Sequence, residues 1–212
     1  MKKLFSIALT LVMLVTAFTA CSKADNSKKF VVGFDSEFPP MGFVADNGDY
    51  VGFDLDLAQE VAKRLNLEYV PQPINWDAKD QELKTGNINC IWSGFTISGR
   101  ENDYTWTQPY MENNQVVVVK ADSGISTFAD LAGLKVAVQK DSSGLAALEE
   151  NEALTSTFGQ LIEEESYLNA MMELESSSVD AIVMDEIVAR YEIQTSGKDF
   201  VVLDQAIASE EY

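Results

Sequence analysis

The chain has 212 residues, enough for one large domain or two small domains with their own cores. Its 34 acidic and 15 basic residues give a net charge of -19, which disfavours nucleic acid as a partner and anionic substrates at long range. Histidine is absent and cysteine occurs only twice. The composition therefore excludes Ser-His-Asp and Cys-His catalysis and removes the commonest zinc ligands, and two cysteines cannot form a metal cluster by themselves. We expect no cofactor and no metal.

The first twenty residues predict an export signal. Two lysines precede an apolar run that extends to Phe18, and small residues follow before Cys21. The sequence AFTAC resembles the lipobox of bacterial lipoproteins, in which the signal is cleaved before a cysteine that is then acylated. We therefore expect residues 1–20 to be a lipoprotein signal peptide and Cys21 to carry a lipid that holds the protein outside the cytoplasm, at the bacterial cell membrane. The alternative is a plain secretory signal in which Cys21 is incidental.

Residues 21–29 predict a flexible tether, because SKADNSKK is hydrophilic and contains nothing able to pack. If Cys21 is acylated, Cys90 has no partner within the chain. We interpret Cys90 as a buried strand thiol, since free cysteine behaves as a small hydrophobic residue.

Residues 30–112 alternate strand and helix patterns, which favours a parallel sheet and a first lobe of α/β class. The predicted elements are a buried strand at 30–34, a hairpin at 42–51 with an Asn-Gly turn, a helix capped by Asp54, a strand at 68–70, a helix at 78–84 and a strand at 89–92.

Residues 113–206 repeat the same kinds of pattern and predict a second lobe, after which residues 207–212 begin a second crossing between the lobes. The predicted elements are a valine-rich strand at 115–120, a helix N-terminal box at Thr127 and Asp130, a strand at 134–138, a helix ending near Asn151, a helix with Leu168, Met171, Met172 and Leu174 on one face, and strands at 179–183 and 200–203.

Small polar residues follow the strand at 89–92 and predict a binding loop. Ser93, Gly94 and Thr96 offer hydroxyl and backbone groups at the strand end where open α/β sheets usually hold ligands.

Arg100 is the lone cation of this loop. Its guanidinium is a planar fork of donors that fits a carboxylate bidentately, so the loop could hold a small anion or the carboxylate of an amino acid. The alternative is an ordinary loop in which Arg100 pairs with Glu101 or Asp103 on the surface.

The second lobe supplies three further candidates. Ser142 and Ser143 stand at a strand-to-helix turn, where free N–H groups and the helix dipole attract an anion, although a serine there is also an ordinary helix cap. Asp185 ends the apolar run AIVM and precedes a helix, so it could be a helix cap. A cation at a strand end of one lobe and an anion at a strand end of the other would instead face the α-carboxylate and the α-ammonium of an amino acid.

From residue 30 to residue 212 the chain resembles the polar amino acid substrate-binding proteins of bacterial ABC importers, which have the two-lobed type II periplasmic-binding fold. The motifs that carry the resemblance, in order, are VGFDSEFPPMGF, GDYVGFDLDLA, GNINCIWSGFTIS before Arg100, TWTQPY, KVAVQKDSSG and VDAIVMDEIVARY. The resemblance implies two lobes, each a mainly parallel sheet flanked by helices, with the C-terminal return to the first lobe missing here.

The resemblance also implies a role for each candidate. Arg100 would clamp the α-carboxylate, Asp185 would take the α-ammonium, and the remaining contacts would come from Asp35, Phe38, Ser93, Gly94, Thr96, Ser142 and Ser143. The implied partners are an amino acid and the permease subunits of an importer, with the protein acting as a monomer. Apart from the resemblance, Asp35, Glu37 and Asp77 near the expected mouth could suit a basic or amide side chain of the ligand, and Phe38, Trp76 or Trp92 could stack on it. The alternative is that these acids are solvated surface groups.

Two alternatives remain open at this point. A few relatives of this fold resemble periplasmic dehydratases of cyclic acids, whose chemistry would need Glu37, Asp35 or a tyrosine as the general acid. The chain could also be the ligand-sensing ectodomain of a receptor. We expect a binding protein and not an enzyme, because no feature of the sequence demands catalysis.

Overall fold

The computed structural model describes residues 28–212, so the predicted signal peptide, Cys21 and most of the tether lie outside the described residues. Eleven strands and six α-helices follow in chain order. The strands are β1 Lys29–Phe34, β2 Glu37–Phe38, β3 Gly42–Val44, β4 Tyr50–Val51, β5 Glu68–Pro73, β6 Cys90–Ile91, β7 Glu112–Lys120, β8 Lys135–Gln139, β9 Gln160–Glu164, β10 Ala181–Asp185 and β11 Phe200–Glu211. The helices are α1 Phe53–Arg64, α2 Lys79–Thr85, α3 Ser143–Glu150, α4 Glu152–Thr155, α5 Tyr167–Ser176 and α6 Glu186–Ser196, with 3-10 turns at Trp76–Ala78 and Phe128–Leu131.

The first lobe is built on a three-stranded sheet in the order β5-β1-β6, with both pairings parallel. Its central strand β1 is almost wholly buried after Phe30, as expected for a strand covered on both faces. The small antiparallel sheet β2-β3-β4 contains the predicted Asn-Gly hairpin. The parallel sheet expected from the alternation of strands and helices is therefore present.

The second lobe is built on a five-stranded sheet in the order β11-β7-β10-β8-β9. Alternate residues of β7 pack into two different clusters: Val116 and Val118 join one core, and Val117 and Val119 join the other. Both faces of the sheet are thus covered, which explains the uninterrupted valine run.

This second sheet is mixed and not mainly parallel. Strands β10, β8 and β9 pair in parallel, but β7 is antiparallel to both β10 and β11. The reason is that β7 enters the sheet from the first lobe and β11 runs back beside it in the opposite direction. The α/β two-lobed class holds, with this correction to the second sheet.

Strand β11 is longer than predicted and brings the end of the chain against the first lobe. It pairs with β7 as far as Glu211, and Tyr212 exchanges backbone hydrogen bonds of 2.9 Å with Tyr110 and Met111. The N–H of Ile97 donates to the carbonyl oxygen of Glu211 at 2.9 Å. The end of the second lobe is therefore tied to the loop that carries the predicted binding residues, while the exact lobe boundaries remain predictions.

Two local predictions are wrong. Helix α1 begins at Phe53 with Gly52 at its N-cap, so Asp54 does not cap it; its carboxylate is buried and turned towards the first-lobe loop. In α5, Leu168 and Met172 are 44% and 49% exposed, because Tyr167 and Ala170 take their places on the buried face.

The capping box predicted at Thr127 is present, although the element that it opens is a single 3-10 turn.

Within residues 28–212, no helix combines the length and the apolar character that a membrane-spanning segment requires.

Candidate functional site

A cleft with an empty volume of about 270 Å³, open mouth included, lies between the two lobes. All nine residues proposed from the sequence line it, together with two that were not proposed as primary contacts. The lining residues are Asp35, Phe38, Trp76, Ser93, Gly94, Thr96, Arg100, Gln139, Ser142, Ser143 and Asp185.

The first-lobe loop after β6 places Arg100 at this cleft. The guanidinium carbon lies 5.0 Å from the centre of the Phe95 ring, and Nη1 donates to the carbonyl oxygen of Thr96 at 3.3 Å. Across the part of the chain that the structure describes, Arg100 forms no ion pair; Glu101 instead accepts from the N–H of Gly99 at 3.2 Å. The surface pairing considered from the sequence is therefore not formed, and most guanidinium donors are free for a ligand.

Gly94 contributes to the site through its backbone conformation and its lack of a side chain, and not through a free N–H group. Its N–H is already taken, because it donates to Asp54 Oδ2 at 2.6 Å. Its φ is +51°, and a Cβ at this position would lie 2.7 Å from the Phe38 ring and 3.1 Å from the Tyr212 ring. Only glycine combines this backbone conformation with this closeness. The backbone donor expected here is thus used within the protein.

The buried carboxylate of Asp54 holds the loop from beneath. It accepts from Gly94 and, at 2.9 Å, from the hydroxyl of Tyr110. Burial raises the pKa of Asp54 to about 6. Sequence reasoning missed this role because an acid in the first turn of a helix is an ordinary choice.

Ser93 and Thr96 present hydroxyl groups to the cleft. Ser93 Oγ accepts from the N–H of Asp35 at 3.0 Å and keeps its own hydrogen for another acceptor. The hydroxyl of Thr96 is buried and finds no hydrogen-bond partner among the described residues. A buried polar group normally has a partner, so this hydroxyl points to a ligand acceptor.

On the second lobe, Ser142 and Ser143 differ in the two roles considered from the sequence, which were a helix cap and a contact to an anion. Ser142 Oγ accepts from the N–H of Leu145 at 3.1 Å and caps α3. Ser143 Oγ accepts from Gln115 Nε2 at 3.0 Å, which orients its hydroxyl at the first turn of the helix. Both serines line the cleft beside the positive end of the helix dipole.

Asp185 occupies the N-cap position of α6 but its carboxylate makes no capping hydrogen bond. Instead Oδ1 accepts from Asn113 at 2.8 Å and from the hydroxyl of Tyr212, and Oδ2 accepts from the hydroxyl of Tyr167 at 2.9 Å. The side chain is held by three uncharged donors and is not used as a cap.

Glu210 is a second buried carboxylate in the same network and was missed. Its Oε1 accepts from Asn113 at 2.7 Å and from Gln115 at 2.9 Å, and the residue is 7% exposed. Alternation along β11 would not have identified Glu210, because the register of β11 against β7 shifts twice between Val202 and Ala208.

In this network the two second-lobe carboxylates accept hydrogen bonds from uncharged amide and hydroxyl donors. Burial, and then repulsion by Glu210, raise the pKa of Asp185 to about 7. Neither carboxylate is ion-paired with a lysine or arginine of residues 28–212. A cationic group entering the cleft would therefore gain more here than at a carboxylate already paired.

Asp35 and two aromatic residues form the remaining wall. Asp35 Oδ2 accepts from Gln139 Nε2 of the other lobe at 2.7 Å, and Oδ1 accepts from the N–H of Glu37 at 2.9 Å. Burial raises the pKa of Asp35. Phe38 and Trp76 lie beside it.

The other side-chain candidates lie away from this wall. Trp92 lines a separate apolar groove with Trp106 and Tyr110 and does not line the cleft, so the structure does not support its stacking on a ligand there. Glu37 is exposed, and Asp77 pairs with Lys140 at 2.9 Å; neither lines the cleft. Strand and loop patterns alone could not tell which side of the sheet each of these side chains faces.

Comparisons with known proteins agree with this arrangement. The chain is 28% identical over 181 residues to the ABC transporter arginine-binding protein 1 of Escherichia coli (strain K12), covering 85% of this chain and 72% of the relative. It is 31% identical over 177 residues to a probable histidine-binding protein of Campylobacter jejuni, covering 82% and 67%. Both relatives are named as amino-acid-binding proteins, the first of an ABC transporter, and neither name supports a dehydratase.

Solved structures show the same architecture. An ABC uptake transporter substrate-binding protein from Streptococcus pneumoniae with bound histidine superposes with a TM-score of 0.84 at 33% identity, covering 90% of this chain and 82% of that one. The arginine-bound form of truncated ArgBP from T. maritima gives a TM-score of 0.79 at 32% identity, covering 88% and 86%. Residues 30–167 match the family model itself, and the chain therefore belongs to the bacterial extracellular solute-binding proteins, family 3.

Proposed function

We propose that this protein captures an amino acid with a cationic side chain between its lobes and delivers it to the permease of an ABC importer. The observation that carries the proposal is that two charged side chains without an ion-pair partner in residues 28–212 line one cleft. They are Arg100 on the first lobe and Asp185, with Glu210 behind it, on the second. A dipolar head group is the simplest guest that neutralises both at once.

The first-lobe half suits a carboxylate. The free donors of Arg100 can bind two oxygens side by side, and the unpartnered hydroxyl of Thr96 supplies a further donor in the same loop. Ser143 at the start of α3 would add its hydroxyl from the opposite lobe when the cleft is closed.

The second-lobe half suits an ammonium group. Asp185 is fixed by neutral donors, and its charge is opposed by Glu210 and by burial. An ammonium would relieve both effects, so its binding would favour the ionised carboxylate.

The side-chain wall favours a positive charge. Asp35 is buried at the cleft with only uncharged hydrogen-bond donors, and Trp76 also lines the cleft. A guanidinium or imidazolium would pair with the carboxylate and stack on the ring. The relatives that bind arginine and histidine support this ligand class.

We further propose that the protein works as a monomer at the outer face of the cell membrane, anchored through a lipid on Cys21. The lipobox-like sequence AFTAC and the hydrophilic tether support the anchor. Membership of a family whose named relatives serve ABC transporters supports the permease as the partner.

Titration calorimetry against a panel of basic, amide, acidic and apolar amino acids tests the ligand class. We expect the mature protein to bind arginine or histidine, and Arg100→Ala to lose roughly 2 to 5 kcal/mol of binding free energy because a charge-assisted pair is removed. Selective binding of an acidic or apolar amino acid would contradict the proposed class. Wild-type affinity in Arg100→Ala would contradict the carboxylate clamp.

A further inference from the structure

Three consecutive residues of the second lobe contact the first lobe directly. Gln139 ends strand β8, and Lys140 and Asp141 follow it and lead into the serines of the cleft. Each of the three contacts a different first-lobe side chain. Gln139 contacts Asp35 within the cleft, whereas the other two contacts lie outside its lining.

These two outer contacts are ion pairs of opposite polarity. Lys140 Nζ lies 2.9 Å from Asp77 Oδ2, so the second lobe supplies the cation. The carboxylate of Asp141 pairs with Lys79, so here the first lobe supplies the cation. We call these four residues the latch.

The two pairs differ in burial. The side chain of Lys79 is only 3% exposed, and its ammonium lies 5.1 Å from the centre of the Trp76 ring while also donating to the carbonyl oxygen of Asp141 at 3.3 Å. The side chains of Asp77 and Lys140 are 33% and 44% exposed. The side chain of Asp141 is 55% exposed, but its loss would leave the buried ammonium of Lys79 with only backbone carbonyl acceptors. We expect this to cost more than breaking a pair in which both members are partly exposed.

We propose that the latch stabilises the closed arrangement of the lobes and thereby sets the lifetime of the bound state. The proposal rests on the proposed function, because it takes closure around a ligand as the binding event. None of the four latch residues lines the cleft, so their contribution to affinity acts through the open–closed equilibrium and not through ligand contacts.

The arrangement of charges also makes the latch specific for one closed geometry. In each lobe an acid and a base stand close together in sequence, and each meets the opposite charge across the cleft. A shift of one lobe along the other would bring like charges towards each other, which is unfavourable. The latch therefore favours a single docking of the two lobes.

Charge reversal across the cleft provides the test. Asp77→Lys should place two cations together and raise the dissociation rate of arginine or histidine by about fivefold, the upper range for a partly exposed pair. Adding Lys140→Asp should restore most of the wild-type rate, although Lys140 also lies 3.7 Å from Glu165 of its own lobe. Asp141→Asn should raise the rate by roughly tenfold.

A second readout needs no ligand. The distance between fluorophores on the two lobes, measured in the empty protein by energy transfer, should increase in Asp77→Lys and Asp141→Asn and return in the Asp77→Lys, Lys140→Asp double variant. The matched control is Glu175→Gln, which breaks the 2.7 Å pair with Lys198 inside the second lobe and should change neither readout.

The outcomes separate the two proposals. If the variants bind ligand with wild-type dissociation rates and show the wild-type lobe distance, the latch proposal is overturned. If no amino acid binds to the wild type but the lobe distance still follows the latch charges, the latch as a lobe-closing device stands and the proposed function fails.

Discussion

Asp185 and Glu210 accept hydrogen bonds from one and the same amide nitrogen, Nδ2 of Asn113, at 2.8 and 2.7 Å. Two buried carboxylates thus share a donor at the junction of the second lobe with the crossing strands. Burial and the repulsion by Glu210 raise the pKa of Asp185, and in the proposed function the ammonium of the ligand would relieve both effects.

The stability of the ligand-free protein should depend on Asp185. Its pKa rises from 3.8 to about 7 on folding, so the folded state holds the proton more tightly than the unfolded chain does. This contribution is fully present below about pH 4 and is lost as the pH rises through about 7, by at most roughly 1.4 kcal/mol per pH unit.

Chemical denaturation at a series of pH values measures this effect. Asp35 and Asp54 also have raised pKa values and act in the same direction, so the comparison is between the wild type and Asp185→Asn. We expect a shallower decline with pH in the variant. Identical pH profiles would show that Asp185 is not protonated on folding.

Ligand binding should show the opposite preference for protons. Because an ammonium favours the ionised carboxylate, affinity should weaken as the pH falls below about 7, by up to about tenfold per pH unit. Calorimetry in buffers of different ionisation enthalpy should detect proton release on binding near neutral pH. Asp185→Asn should release fewer protons, and equal release in both proteins would contradict the assignment.

Gly94→Ala should damage the site through sterics. The added methyl group would meet the Phe38 and Tyr212 rings, and the residue would keep a φ of +51°, so we expect a loss of about 1 to 3 kcal/mol in stability together with weaker ligand binding. Gly99→Ala is the matched control, because it lies in the same loop with a φ of +79° and open space around it. Equal effects of the two changes would remove the close-contact argument.

Asp35→Asn should change which amino acid is preferred. Loss of the carboxylate removes the partner for a cationic side chain but leaves the head-group contacts, so arginine affinity should fall by roughly 2 kcal/mol while glutamine affinity changes little. Competition binding of the two amino acids measures the ratio. A parallel loss for both would place Asp35 in the scaffold and not in the choice of ligand.

The sequence predicted the architecture well where patterns were local. The valine run of β7, the apolar β10 and the Asn-Gly hairpin each form as expected, because burial on both faces and turn chemistry depend on neighbouring residues. The antiparallel course of β7 could not be read in this way, since strand direction depends on where the chain enters the sheet.

The candidate site was predicted in part for a similar reason. Asp185 ends a strand and Arg100 stands in the loop after one, and strand ends are where such sheets hold ligands. Their opposite charges in separate lobes, together with the family resemblance, favoured them over a helix cap and a surface arginine. Glu210, Asn113 and Gln115 lie on the crossing strands, and their convergence depends on the pairing of β7 with β11 across nearly a hundred residues. No local pattern carries that information.

The central claim is that Arg100 binds the α-carboxylate of the ligand and Asp185 binds its α-ammonium. The most direct test is calorimetry with arginine, its decarboxylated amine and its desamino acid on the wild type and on Arg100→Ala. We predict that the wild type binds arginine far more tightly than either analogue. Arg100→Ala should distinguish arginine from the decarboxylated amine far less, because only the hydroxyls of Thr96 and Ser143 remain for the carboxylate. Equal wild-type affinity for arginine and the decarboxylated amine would contradict the central claim.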